Sequence, residues 1–123
     1  MSFGQQRQKR ESASISGTGT MSAWAVAIGS LAFTGGAGVQ TLPTATLLAA
    51  EISATRGTVH DFTVDNTAGS GTCTIAVNTG IVAAVPIITG GATLTIANSA
   101  TQGIGVFRLV FSSATAAVLY RLG

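Results

Sequence analysis

Apolar and polar side chains alternate along several short stretches of this chain, which is the spacing of half-buried β-strands. The alternation is clearest over residues 58–66, 72–78, 104–111 and 116–122. The last two stretches flank a short loop of serine, alanine and threonine, so the chain is predicted to end in a β-hairpin. Within these four strands, the side chains expected to share a face are His60, Phe62 and Val64; Cys73, Ile75 and Val77; Phe107, Leu109 and Phe111; and Val118, Tyr120 and Leu122.

Further stretches have the composition of strands but a weaker alternation. They are residues 23–33, 38–42, 81–88 and 93–97. Pro86 favours an edge strand or a bend, because proline cannot donate to a strand ladder. Short strands between glycine-rich turns predict an all-β chain, with a single β-sandwich or jelly-roll-like domain over residues 21–123. A jelly roll and another Greek-key sandwich would produce the same pattern, so the strand order stays open.

One segment, residues 43–54, follows helical rather than strand spacing. It contains good helix formers, and Leu48 and Ile52 are four residues apart, so they lie on one face of a helix. Pro43 or Thr44 suits a helix start, and a glycine follows the segment. We therefore expect one short helix that crosses an end of the sandwich.

Residues 1–20 lack the periodicity of a packed element and are predicted to form an extended, basic, Gly/Ser/Thr-rich N-terminal arm. Arg7, Lys9 and Arg10 supply its positive charge. An extended segment of this length reaches roughly 65 Å, which is far enough to contact a neighbouring subunit. We expect the three cations to bind a partner, which is a protein surface or, as the weaker alternative, the phosphates of a nucleic acid.

Charged residues make up 8% of the chain, against about 25% in a typical soluble domain. Residues 1–11 carry a net positive charge, whereas the carboxylates and arginines of residues 12–123 cancel. Because net charge keeps small domains apart in solution, such a neutral body favours association with copies of itself or with a protein lattice.

The chain offers little for catalysis. His60 and Asp61 are neighbours on a predicted strand, so their side chains point to opposite faces and cannot act together. Asp61 and Asp65 share a face but lie about 13 Å apart along the strand, too far for paired-carboxylate chemistry. Cys73 is alone, which excludes an intrachain disulfide and metal sites built from several cysteines. We expect His60 and Cys73 to be structural, and we expect neither enzymatic activity nor a cofactor.

Motifs for phosphate binding and for membrane targeting are also missing. The glycine pairs at residues 35–36 and 90–91 are predicted to be turns, since neither continues into the Gly-Lys-Ser/Thr of a phosphate loop. The polar start of the chain lacks the apolar core of a signal peptide, and residues 21–33 are too few to span a bilayer. Membrane contact is therefore not expected.

An ordered series of short motifs runs through residues 38–123. It consists of Leu42-Pro43-Thr44-Ala45 with the helix after it, Asp61-Phe62-Thr63-Val64-Asp65-Asn66, Thr79-Gly80-Ile81, Phe107-Arg108-Leu109 and Tyr120-Arg121-Leu122. In its order and spacing the series resembles a small β-module of structural proteins in tailed phages and in large DNA viruses of algae. There the module occurs in capsid decoration (cement) proteins, in minor capsid proteins and in fibre or spike tips.

The resemblance implies a virion component, oligomeric and often trimeric, whose partners are itself, the major capsid protein or other virion proteins. It brings no catalytic residues. A single short domain with a basic arm favours a decoration or minor capsid protein over a fibre tip. The alternative is a receptor- or glycan-recognition module, which needs exposed aromatic side chains. Trp24 lies among alanines and a valine and is instead expected in the core.

Overall fold

The computed structural model describes residues 12–84 and 94–123. Strands account for 46% of these residues and helices for 14%, so the prediction of a β-rich chain is confirmed. The described strands are β1 Ala13–Ser16, β2 Gly19–Thr20, β3 Ser30–Thr34, β4 Gly38–Thr41, β5 Val59–Asp65, β6 Cys73–Ala76, β7 Ile81–Ala83, β8 Thr95–Ile96, β9 Ile104–Ser113 and β10 Ala116–Arg121. The described helices are α1 Ala23–Ile28 and α2 Ala45–Ile52.

The strands form two sheets, and the first six strands alternate between them. The larger sheet has the order β1-β3-β5-β9-β10-β7, and the smaller sheet has the order β2-β4-β6-β8. The chain therefore winds through three coils, each of which adds one strand to each sheet, with parallel pairing between successive coils. The antiparallel hairpin β9–β10 follows, and β9 pairs with β5.

Most strand pairs in the described part of the chain are parallel, whereas jelly rolls and related sandwiches are antiparallel. The sheets are mixed, and the predicted sandwich or jelly-roll arrangement is not confirmed. Alternation assigns a residue to a face of its strand, but it does not say which distant strand lies alongside.

A glycine and a buried amide hold the second coil against the first. A β-carbon at Gly38 would collide with the backbone of Gly17, so the two coils approach closely where the chain turns from one sheet to the other. Gln40 is 4% exposed, and its Nε2 donates to the carbonyl oxygens of Ser16 and Gly17 at 3.0 and 2.7 Å. The side chain thereby gives a hydrogen-bond donor to two carbonyls at the turn from β1 to β2.

The turn of the third coil is built in the same way. A β-carbon at Gly71 would collide with Ala37 of the preceding coil. Asn66 is fully buried, and its Nδ2 donates to the carbonyl oxygens of Gly71 and Ile96, both at 3.0 Å. Its Oδ1 has no hydrogen-bond partner among the described residues and lies where a β-carbon at Gly69 would be.

One hydrophobic core draws on both sheets and both helices. Phe62 and Phe107 lie opposite each other on β5 and β9 and stack with their ring centroids 5.2 Å apart. The faces predicted to point inward on β5, β6 and β9 are confirmed, with His60 only partly buried. The set predicted for β10 lies on the outer face, because Ala117 and Leu119 fill the core instead.

The helix predicted over residues 43–54 is confirmed as α2. Thr44 caps its start, since Oγ1 accepts a hydrogen bond from the Leu47 amide at 3.2 Å. Leu48 is buried, whereas Leu47 faces outward. The sequence predicts this helix because the capping residue and the apolar spacing both indicate a helix within one short segment.

The strand predicted over residues 23–33 is wrong in its first half, which is α1; the strand itself begins at Ser30. Ser22 caps α1 by accepting a hydrogen bond from the Ala25 amide, and Gly29 ends it with a φ of 89°. Six apolar residues between such a cap and such a glycine suit a short helix, and packing of α1 against α2 stabilises it.

Residues 13–20 correct the predicted arm, because they form β1 and β2 rather than a segment separate from the body. Both strands are extended, but they pair in parallel with β3 and β4. Ala13 is buried at 6% exposure, so the hydrophobic core begins before residue 21. Arg7, Lys9 and Arg10, which were predicted to bind a partner, lie outside the described residues, as does Pro86.

Candidate interaction face

The outer face of the larger sheet carries apolar side chains where a solvated sheet usually carries polar ones. The register aligns one valine from each of four neighbouring strands, namely Val59 of β5, Val110 of β9, Val118 of β10 and Val82 of β7. These four residues are termed the valine row. The residues next to them along β9 and β10 are buried in the core, which places the row on the outside.

The ends of the valine row are open to solvent. Val82 is 66% exposed and Val59 is 53% exposed, whereas the two central valines are partly buried. Ile104, on the same face of β9, adds a further side chain that is 44% exposed. Several exposed apolar side chains on one face of a sheet are a feature of interaction sites in soluble proteins.

One ion pair crosses this face next to the valine row. Nε and Nη2 of Arg108 donate to the two carboxylate oxygens of Asp61 at 2.7 and 2.9 Å, and Tyr120 lies opposite Arg108 on β10. The hydrogen bond from Arg108 lowers the pKa of Asp61, and partial desolvation opposes that shift. Because the two side chains are 43% and 48% exposed, the pair stabilises the fold little. Its main effect is to neutralise the two charges that lie next to the valine row.

The half of the same face formed by β1 and β3 is polar. Its outward side chains include Ser14, Ser16, Ser30 and Thr34. On β5, Asp65 accepts hydrogen bonds from the amide and hydroxyl of Thr67 at 2.8 and 2.6 Å. The hydroxyl and then the amide lower the pKa of Asp65, so this carboxylate closes a turn. The apolar area is therefore concentrated on β5, β9, β10 and β7.

The titratable residues singled out in the sequence are not brought together. Nε2 of His60 lies 2.8 Å from the carbonyl oxygen of Val26, on the side of β5 opposite to Asp61. Burial raises the pKa of the Cys73 thiol to about 11, which is typical of a structural cysteine. Among residues 12–84 and 94–123, no three His, Cys, Asp or Glu side chains are grouped so as to hold a metal ion. In the same residues no helix has the length and apolar character needed to cross a membrane.

Trp24 is 61% exposed, so the expectation that it belongs to the core is wrong. α1 buries Ala25 and Val26 instead, and this turns the neighbouring indole outward. Leu47 on α2, the helix that packs against α1, is 58% exposed. The helical layer therefore carries two large apolar side chains in contact with solvent.

Sequence reasoning did not find the valine row, although a signal exists. β9 carries Val106 and Val110 between its buried residues, so both of its faces are apolar. That is unusual for an antiparallel strand with one face in water, and it indicates a covered outer face. The cations that sequence reasoning did select, Arg7, Lys9 and Arg10, are not among the described residues.

No family model matches this chain, and comparisons with curated proteins and with solved structures find no match.

Proposed function

We propose that this chain is a non-enzymatic structural protein of a virus particle, which binds the capsid lattice as a decoration (cement) protein or a minor capsid protein. The exposed valine row carries the proposal, because it is an apolar surface that needs a partner. The zero net charge of residues 12–123 supports association with other subunits, and the motif series of residues 38–123 supports a location in the virion.

The partners are copies of this chain, as a trimer or other homo-oligomer, and the major capsid protein or other virion proteins. Arg7, Lys9 and Arg10 bind the lattice protein in this proposal, and contact with nucleic acid is the weaker alternative. We also propose that the two sheets are layered as in a β-sandwich, because both contribute side chains to one hydrophobic core.

The size of the valine row favours a lattice over a free-standing tight complex. Full burial of one valine side chain contributes roughly 1.5 kcal/mol or more. Two of the four valines are already partly covered, so the row supplies about 4 kcal/mol in all. Association costs at least about 4 kcal/mol in lost translational and rotational freedom. A contact of this strength is weak by itself and becomes stable when it is repeated across a lattice.

The experiment asks whether the chain purifies with virus particles through the valine row. Particles from a producing culture are purified on a density gradient, and the ratio of this chain to the major capsid protein is measured by quantitative mass spectrometry. The variant is Val82→Lys, which places a charge in the row. The matched control is Thr34→Lys, which places the same charge on the polar half of the same face.

Wild type and Thr34→Lys are expected at a constant ratio to the capsid protein. For Val82→Lys this ratio is expected to fall at least about tenfold, because burial of an unpaired charge at the contact costs more than about 1.4 kcal/mol. Absence of the wild-type chain from purified particles refutes the proposal. Equal retention of both lysine variants shows that the valine row is not the docking surface.

A second candidate function is a receptor- or glycan-recognition module of a viral fibre or spike, and the exposed indole of Trp24 favours it. Trp24 is the single tryptophan of the chain, so the intrinsic tryptophan fluorescence reports on this position alone. A glycan array identifies ligands, and fluorescence titration measures their binding. Binding that is lost in Trp24→Ala and kept in Leu47→Ala supports recognition, whereas an array without hits argues against it.

A further inference from the structure

In the part of the chain that the structure describes, each sheet has an unpaired edge strand at the same end of the coils. Among the described residues, β1 pairs only with β3 and β2 pairs only with β4, so each is the first strand of its sheet. The strands β1, Ala13–Ser16, and β2, Gly19–Thr20, are together termed the open edge. Both edges belong to the first coil, and they therefore lie at the same end of the molecule.

The backbone of the open edge is oriented to receive a further strand. The Met21 amide donates to the Thr41 carbonyl oxygen at 2.8 Å, which is towards β4. Successive amides of an extended strand point to opposite sides, so the amide and carbonyl of Thr20 point away from β4. Thr20 is exposed, and its backbone groups are a donor and an acceptor that a neighbouring strand can satisfy.

Apart from the shortness of its two strands, the open edge lacks the features by which proteins protect such edges. Residues 12–20 contain no charged residue and no proline, and the pairings of β1 and β2 run without a bulge. Gly19 does not have a positive φ, and no described atom lies within 4 Å of the place its β-carbon would take. Nothing in the described chain requires glycine there. A glycine in a strand often marks close approach by another backbone.

We propose that a second copy of this chain occupies the open edge. The open edge offers two strand edges, about 10 Å apart on the two sides of the core, and a single extended peptide pairs with only one of them. A second copy presents the same pair of edges. Residues 12–20 are uncharged, so no charge within the open edge itself opposes the contact.

A two-fold axis perpendicular to the sheets sets β1 against β1 and β2 against β2, each antiparallel, which is a self-complementary interface. The two larger sheets then form one continuous sheet, and both valine rows lie on the same side of the dimer. A dimer with two weak docking surfaces on one side gains affinity for a lattice by avidity. This inference rests on the proposed assembly role and extends it. The dimer forms through the open edge, whereas the lattice is bound through the valine row.

The test is sedimentation velocity of the full-length protein over a wide concentration range. Thr20→Pro removes the outward amide while leaving the Met21–Thr41 hydrogen bond in place, and Thr20→Ala is the matched control. Wild type and Thr20→Ala are expected to be dimers. Thr20→Pro is expected to be a monomer with an unchanged far-UV circular dichroism spectrum.

Hydrogen exchange of the wild type gives a second measurement that does not depend on how the proline variant folds. The peptide with residues 17–22 should gain protection as the concentration rises through dimerisation, whereas peptides of β9 should not. A wild type that is monomeric throughout overturns the inference. So does an assembly, dimer or trimer, that folded Thr20→Pro leaves intact.

The dimer and the proposed function fail in distinguishable ways. Val82→Lys should dimerise normally and lose its particle association. A wild type that purifies with particles as a monomer overturns the dimer alone. A wild type that dimerises through the open edge but is absent from particles overturns the virion role alone.

Discussion

Replacement of Gln40 by leucine removes the buried amide that holds the first coil onto the second. Gln40 is 4% exposed, and its Nε2 donates to the carbonyl oxygens of Ser16 and Gly17 at 3.0 and 2.7 Å. Leucine fills a similar volume but donates no hydrogen bond, so the variant isolates the two hydrogen bonds from packing. Both acceptors lie in the first coil, where the chain turns from β1 to β2 within the open edge.

The expected loss follows from those two bonds. A buried intramolecular hydrogen bond contributes about 1 kcal/mol net, so the pair contributes about 2 kcal/mol. A carbonyl left buried without a partner costs more, but Ser16 is exposed and water can replace part of the lost contact. We therefore expect Gln40→Leu to lower the free energy of unfolding by about 2 kcal/mol. For a domain of this size, that lowers Tm by roughly 8 °C.

Urea unfolding, followed by circular dichroism at one protein concentration, measures the loss, and Gln102→Leu in an exposed turn is the control. Hydrogen exchange should show that residues 13–20 lose protection before the rest of the sheets. A Gln40→Leu variant within about 0.5 kcal/mol of wild type, with protection of residues 13–20 unchanged, would refute the role assigned to this side chain.

Three further predictions concern the third turn, the core and the ion pair. Gly69→Ala should lose about 1–3 kcal/mol in urea unfolding, because the new methyl group collides with Oδ1 of buried Asn66; an unchanged midpoint contradicts this. With a pKa of about 11, Cys73 should resist a thiol reagent at pH 8 until the protein unfolds, and fast labelling of folded protein contradicts its burial. Because the folded state keeps this thiol protonated, the free energy of unfolding should fall as the pH rises from 9.0, the ordinary pKa of the thiol, to about 11. Asp61 has a lowered pKa, so the small stabilisation by Arg108 is present above pH 3.8 and lost as the pH falls further. Asp61→Asn should remove that dependence of Tm, and high salt should weaken it; an identical acid profile in the variant argues against the pair.

The sequence predicts part of the interaction face but not the pairing of its side chains across strands. The outward positions of Asp61 and Arg108 follow from alternation along single strands, because successive side chains point to opposite faces. Their bidentate pairing depends on the register between β5 and β9, which are separated by three other strands among the described residues. The valine row depends on three registers at once, so no single strand reveals it.

The sequence by itself determined which faces of β5, β6 and β9 are buried and where α2 begins, because period, cap and turn residues are local properties. Only the tertiary structure decided that residues 23–28 are helical and that Trp24 is exposed. A six-residue apolar segment is compatible with either element until a neighbour packs against it. The parallel coils and the open edge were likewise decided by pairing between distant strands. Neighbouring coils are held together by residues such as Gly38, which permits close approach, and Gln40, which donates hydrogen bonds to the preceding coil. These contacts form only when the coils are side by side, so the sequence of one strand does not reveal them.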